Sequence, residues 1–224
     1  MADLIVTIDG PAASGKSTVA RLLARKLGAS FLDTGAMYRA VTLAAMQAGA
    51  DLSSQEELLG VVQTHEFQFS VRAGQMRISI GAVDVTEVIR NPRVTANARY
   101  IASAPKVREK LVQMQRQFAA SRQKIVTEGR DQGTVAFPDA DIKFYLTADS
   151  VERARRRQAE LGAQGGESLE QLQRALEERD KSDQNRTVGP LKPAKDAIVV
   201  DTTNLRIDEV VDKLLKCVKS ANAP

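Results

Sequence analysis

The residues Gly10-Pro11-Ala12-Ala13-Ser14-Gly15-Lys16-Ser17 fit the pattern G-x-x-x-x-G-K-[S/T] at every fixed position. Those residue types in that order make an anion cradle. Glycine permits a tight turn whose backbone N–H groups converge on phosphate oxygens, and a helix that follows adds the positive end of its dipole. Lys16 is the cation expected to reach the β- and γ-phosphates, Ser17 the hydroxyl expected to ligate Mg²⁺, and Gly10 to Thr18 the stretch expected to wrap the triphosphate. A chance glycine-rich turn is the bland alternative. An apolar run at Leu4–Ile8 before the loop and helical spacing over Ser17–Leu27 after it argue against that alternative. The loop implies binding of a nucleoside triphosphate and leaves open what is done with it.

Three further clusters pair arginine with acid or small polar groups. They are Asp33-Thr34-Gly35-Ala36-Met37-Tyr38-Arg39, Glu128-Gly129-Arg130-Asp131-Gln132-Gly133-Thr134, and Arg179-Asp180-Lys181-Ser182-Asp183-Gln184-Asn185-Arg186. Guanidinium forks match phosphate oxygens bidentately. A carboxylate repels phosphate, so Asp131 is suited to a donor such as the exocyclic amine of a base. One Arg–Asp pair alone reads as a surface salt bridge; three such clusters after a phosphate loop, two of them at strand ends, read as a site for a second, phosphorylated and base-bearing molecule. Glu128 has two readings, holding a Mg²⁺-bound water or ordering the turn after it. Arg153, Arg156 and Arg157, at helical spacing, read either as a solvated face or, since they follow the fourth strand at the edge where the triphosphate should lie, as functional cations.

The elements that must position these groups follow from patterning. Short apolar runs at Leu4–Ile8, Ser30–Leu32, Lys124–Thr127, Ile142–Leu146 and Ala197–Val200 predict buried parallel strands, most of them bounded by Asp, Gly or Pro. Val19, Leu22, Leu23 and Leu27 fall on one helix face, stopped at Gly28, and Val210, Val211, Leu214, Leu215 and Val218 repeat that spacing near the end of the chain. Strands alternating with helices predict an α/β fold with a parallel sheet. Glu66–Val85 departs from that rhythm: Phe67, Phe69 and Val71, then Met76, Ile78 and Ile80, predict an antiparallel hairpin turning at Ala73-Gly74, with Val83 and Val85 as a third strand. Glu160–Ser182, polar and interrupted by Gly162, Gly165 and Gly166, predicts a mobile helical hairpin.

Bulk composition narrows the class. The chain has 224 residues, 43% hydrophobic and 27% charged, the balance of a globular domain of ordinary size with a smaller insert. No stretch approaches the roughly 18 apolar residues needed to span a bilayer. The start of the chain, with Asp3 and Asp9, reads as a buried strand and not as a signal peptide. The single cysteine, Cys217, excludes an intramolecular disulfide, and the cytoplasm is the expected location. A net charge of +4 suits nucleotides, nucleic acid or mere solubility equally. Aromatics make up only 4%, few for stacking single-stranded bases, so no nucleic-acid partner is expected. His65 has no second histidine or nearby cysteine for a metal, Cys217 reads as half-buried, and Tyr100 and Tyr145 read as packing residues.

Taken together, TIDGPAASGKST, LDTGAMYRA, PKVREKL, EGRDQGTVAFPDA, ERARRRQ and ERDKSDQNRTVGPLKPA make the chain resemble the bacterial cytidylate kinases over nearly its whole length. The resemblance implies a P-loop kinase core with a five-stranded parallel sheet flanked by helices, a small antiparallel β insert and a short helical lid. It places the core at about 1–62 and 96–224, the insert at about 63–95 and the lid at about 153–186, in one nucleoside monophosphate kinase domain. It implies transfer of a phosphoryl group from ATP, with Mg²⁺, to CMP and dCMP; with no surplus apolar surface evident in the sequence, a monomer is expected. By position, Arg39 and Arg130 would grip the CMP phosphate; Thr34, Arg108, Asp131 and Arg186 would line the cytosine; Arg179 and Asp183 would hold the ribose side. Arg153, Arg156 and Arg157 match the lid arginines, which join Lys16 and Arg130 as the catalytic cations. Thr34 stands where some relatives have Ser, and Arg99 where others carry a small hydroxyl residue. The rival readings are a different small acceptor (UMP, AMP or shikimate) and a P-loop protein that hydrolyses its nucleotide with no acceptor at all.

Overall fold

The computed structural model describes residues 2–72, 74–162 and 166–221. The predicted turn at Ala73 and the glycine at Gly165 lie outside the described residues. The chain divides into two compact units, one of residues 1–3 and 30–125, the other of residues 4–29 and 126–224.

The second unit begins with β1, Leu4–Asp9, buried along almost its whole length, as a strand covered on both faces must be. α1, Lys16–Leu27, starts as soon as the phosphate loop ends, and Gly28 closes it in the left-handed conformation at φ 62°. β6, Lys124–Gly129, enters the unit from its neighbour in sequence; β7, Ile142–Thr147, and β8, Ile198–Asp201, complete its strands. β1 pairs in parallel with β7, aligning Val6 with Ile142 and Asp9 with Tyr145, and β7 pairs in parallel with β8. α6, Ser150–Leu161, and α7, Leu169–Gln184, pack on each other, and α8, Ile207–Ala221, packs on α1. α8 buries Val210, Val211, Leu214 and Val218, the face its spacing predicts.

The first unit carries β2, Ser30–Asp33, then α2, Thr34–Gln47, whose first turn is capped by the Asp33 carboxylate accepting from the Ala36 N–H at 2.8 Å. α3, Gln55–Thr64, is capped by Ser54. β3, Phe67–Arg72, β4, Gln75–Ile80, and β5, Val83–Asp84, form the antiparallel sheet in the order β3-β4-β5. The alternation works as expected on β4, where Met76 and Ile78 are buried. α4, Pro92–Ala102, and α5, Pro105–Ala120, both open on proline at the first turn.

The larger sheet has the order β2-β6-β1-β7-β8. All five expected strands run past their apolar cores at the carboxyl end, to Asp9, Asp33, Gly129, Thr147 and Asp201, because a polar residue or glycine there still continues the ladder. β8 differs from the expected buried strand. It lies at the edge of the sheet with only Val200 buried, and Ile198 and Val199 are exposed. Among the described residues no helix is long and apolar enough to cross a membrane.

Candidate active site

The phosphate loop is bent by a chain of unusual backbone conformations: Gly10 at φ 149°, Ala13 at 58° and Gly15 at 86°. At Gly10 a Cβ would stand 2.0 Å from the Leu146 carbonyl oxygen of β7, so only glycine lets the loop leave β1 there. Lys16 folds back over the loop, its Nζ donating to the Pro11 carbonyl at 2.6 Å and to Ser14 Oγ at 3.4 Å. Its side chain is buried. Burial, helped by the Arg130 charge and opposed by Glu128 and Asp9, pushes the Lys16 pKa down to about 7. Ser17 Oγ donates to Glu128 Oε1 at 2.8 Å, bringing the end of β6 under the start of α1. A cavity opens on this loop, lined among others by Lys16, Ser17, Thr18, Arg157 and Arg179.

Beyond Glu128 the chain makes a turn of π-helical form over Gln132–Ala136. Arg130 Nε donates to Asp183 Oδ2 at 2.8 Å, and Arg186 binds the other oxygen of the same carboxylate. Asp183 on α7 thus gathers both arginines. Asp131 is buried beside them in sequence. The turn is fixed from beneath by Asp9, which accepts from the Gln132 N–H at 2.9 Å and the Gly133 N–H at 2.8 Å. Thr127 Oγ1 donates to Gln132 Oε1 at 2.9 Å.

Of the four arginines of α6, the three singled out in the sequence, Arg153, Arg156 and Arg157, occupy three different settings. Arg153 is buried: Nε donates to the Ala148 carbonyl at 3.1 Å, and Nη1 donates to the Ala12 carbonyl at 3.1 Å and to Asp180. The same Asp180 accepts from the Ala12 N–H at 3.1 Å, so the ion pair holds both polar groups of one loop residue. Ala12 also joins Ala154, Leu172 and Leu176 in an apolar cluster. Arg156 binds Glu152 at 3.1 Å, Thr202 Oγ1 at 3.0 Å and the Thr202 carbonyl at 2.6 Å. Arg157 is the most open of the three, 40% exposed, paired with Glu160 at 3.1 Å at the cavity. Arg179, assigned by resemblance to the ribose of the acceptor, lines that same phosphate-loop cavity.

The remaining expected site residues lie in the first unit. Thr34 is buried at the start of α2. One turn on, Arg39 makes only a 3.5 Å contact from Nη2 to Asp33 Oδ2, and its buried Nε has no hydrogen-bond partner among the described residues. Gly35 leaves room for this guanidinium, since a Cβ there would stand 3.1 Å from Arg39 Nη1. Arg108 is buried, donates from Nη1 to the Ala102 carbonyl at 3.4 Å, and its guanidinium carbon lies 5.7 Å from the centre of the Tyr38 ring. Arg99 is exposed and stacks on Tyr100 at 4.9 Å.

Sequence reading passed over Asp9, Asp180 and Thr202. The signal for Asp9 was an acid ending an otherwise apolar strand directly before the loop; that for Asp180 was its place next to Arg179. Thr202 carried none, because its part depends on β8 ending beside the loop, where its Oγ1 lies 3.3 Å from the Ser14 carbonyl.

A family model described as Cytidylate kinase matches residues 6–220. A cytidylate kinase of Desulfitobacterium hafniense (strain Y51) is 48% identical over 214 residues, spanning 95% of this chain and 91% of that protein. One of Limosilactobacillus reuteri (strain DSM 20016) is 46% identical over 218 residues, spanning 96% and 95%. Among solved structures, an uncharacterized protein from Eubacterium ventriosum ATCC 27560 shares the fold with a TM-score of 0.53 at 14% identity, over 97% of this chain and 99% of that one.

Proposed function

The chain belongs to the cytidylate kinase family, and from that premise we propose how its residues phosphorylate CMP at the expense of ATP. The observation that carries the reading is the joining of donor and acceptor chemistry in one buried assembly, where Ser17 of the phosphate loop holds Glu128 and the turn after Glu128 presents Arg130 and Asp131.

The loop N–H groups and Lys16 hold the β- and γ-phosphates of ATP. The Lys16 ammonium leaves the Pro11 carbonyl for a phosphate oxygen, a better acceptor for a cation in a buried site. The residues fit a magnesium ion: a hydroxyl that donates its proton to a buried carboxylate keeps its lone pairs for a hard cation, and Ser17 with Glu128 behind it is such a pair. Mg²⁺ held there would neutralise charge on the phosphoryl oxygens of ATP. Arg39 and Arg130 grip the CMP phosphate, and the Arg39 Nε, buried with no hydrogen-bond partner among the described residues, is suited to that anion. Asp131 accepts from the cytosine amine, with Thr34, Arg108 and Arg186 as further base contacts and Asp183 toward the ribose. A phosphate oxygen of CMP is already anionic at neutral pH, so the attack needs no strong general base. Catalysis is positioning and neutralisation of the charge that spreads over the transferring group, by Lys16, Arg130, Arg156 and Arg157. Arg179, at the loop cavity, adds to this positive wall. Arg153, whose guanidinium is held by Ala148, Ala12 and Asp180, acts through the shape of the loop.

Free nucleotides as substrates, a lone cysteine and few aromatics for stacking bases support a cytoplasmic protein with no nucleic-acid partner, using dCMP as well as CMP. A coupled ADP-release assay with Mg·ATP and, separately, CMP, dCMP, UMP and AMP tests the reading. Fast turnover with CMP and dCMP and little with AMP is expected; ADP release at one rate regardless of acceptor would leave only nucleotide hydrolysis.

A further inference from the structure

Asp9 is a buried carboxylate that no step above uses. It ends β1, immediately before Gly10 opens the phosphate loop. Both of its oxygens are engaged by backbone donors, Oδ1 by the Gln132 N–H at 2.9 Å and Oδ2 by the Gly133 N–H at 2.8 Å. That occupancy argues against a part as a metal ligand. The two N–H groups belong to the residues directly after Arg130-Asp131, so the carboxylate grips the turn at its root.

The grip is reinforced on every side. The Asp131 carbonyl accepts from the Val135 N–H at 2.9 Å and the Ala136 N–H at 3.2 Å, closing the π-helical turn, and Thr127 holds the Gln132 side chain. Gly133 sits so close to β1 that a Cβ would stand 2.9 Å from Thr7 Oγ1. Burial pushes the Asp9 pKa up to about 7 against the two N–H bonds, with the Asp131 charge adding to the rise and Lys16 opposing it. A carboxylate retained in so costly a setting has its worth in the geometry that it imposes on its partners.

We propose that Asp9 is a positioning residue that fixes the Arg130-Asp131 turn to the end of β1, and so sets both the affinity for CMP and the preference for a base bearing an amine. The part concerning preference rests on the reading of Asp131 given above. Asp9 acts through the turn and touches neither substrate.

The test compares Asp9→Asn, Asp131→Asn and Gly133→Ala in steady-state kinetics with CMP and UMP. An asparagine at position 9 keeps one acceptor and turns an amide N–H₂ toward the second backbone donor. We expect the KM for CMP to rise about tenfold and the CMP-over-UMP ratio of kcat/KM to fall about tenfold, with the KM for ATP within about twofold of wild type. The ratio is independent of how much of the preparation is active, so a role confined to stability leaves it unmoved. A wild-type ratio and wild-type KM for CMP in Asp9→Asn overturn the proposal. Should that variant fail to fold, Gly133→Ala pushes the same turn away from Thr7 of β1 and must show the same two changes; unaltered values there overturn the proposal as well. If Asp131→Asn itself leaves the preference intact, the reading of Asp131 has failed, and Asp9 is judged on the KM for CMP alone, through Arg130: a rise sustains its positioning role and no rise ends it.

Discussion

In the unit that carries the phosphate loop, two buried cations at the loop are already engaged by the protein: Lys16 by the Pro11 carbonyl, and Arg153 by Asp180 and the Ala12 carbonyl. In the unit of residues 30–125, Arg39 has one long contact to Asp33 and a buried Nε with no hydrogen-bond partner among the described residues. On the proposed reading, the first arrangement builds the ATP-binding surface by bonds within the protein before any nucleotide arrives, and the second leaves donor capacity for the acceptor phosphate. Preorganised charge lowers the barrier to transfer, because nothing has to reorganise as charge develops. Unused donor capacity is expressed as affinity for the ligand that completes it. Substitution of Lys16 should therefore differ in kind from substitution of Arg39, kcat falling for the first and acceptor KM rising for the second.

The largest effect that would sharpen this contrast is Lys16→Met, expected to lower kcat by about 1,000-fold with little change in the KM for CMP, measured by initial rates at saturating ATP. Asp180→Asn comes next. It leaves the Arg153 guanidinium buried against an amide, a loss of roughly 3–5 kcal/mol, and thermal unfolding should begin roughly 6–20 °C lower, with a higher KM for ATP and an unaltered KM for CMP. Arg39→Ala should raise the KM for CMP about thirtyfold and change the affinity for ATP little, read out by parallel substrate titrations. A fall in kcat alone for Arg39→Ala would break the comparison.

The smallest effect is one of pH. The Lys16 pKa is lowered to about 7 in the folded protein from 10.5, so the folded state binds fewer protons than the unfolded state between those values. Stability from this group rises with pH through that window, and the buried charge is most costly below pH 7. Nucleotide-free Lys16→Met should accordingly melt above wild type at pH 6.5, and the gap should narrow toward pH 9.5. A gap that widens with pH contradicts the burial of Lys16 as a charged group.

The sequence made the donor side legible because its signals are local. The loop pattern, the apolar run before it and the helical spacing after it are contiguous, and Gly15, Lys16 and Ser17 hold fixed places in one turn. The antiparallel insert was legible for the same reason, its two-residue period standing out from the helical rhythm around it. What local patterning could not supply was the use to which each long side chain is put. Arg153, Arg156 and Arg157 look alike on a helical wheel. Their separation into a buried brace, a partner of Thr202 and a cavity wall depends on β8, α7 and Ala12 coming together. Asp9 was hidden likewise, since its partners are the main-chain N–H groups at positions 132 and 133, and Asp180 because its partners, the Ala12 N–H and Arg153, are far away in sequence. β8 was misjudged in burial because an apolar run does not reveal whether the strand ends up central or at an edge.

The most direct test of a donor surface built in advance is calorimetric titration of the protein with a non-hydrolysable ATP analogue and Mg²⁺, with no CMP present. The account predicts saturable one-site binding that Lys16→Met weakens strongly and Arg39→Ala leaves unchanged. Binding that appears only once CMP is added, or that Arg39→Ala abolishes, would contradict it.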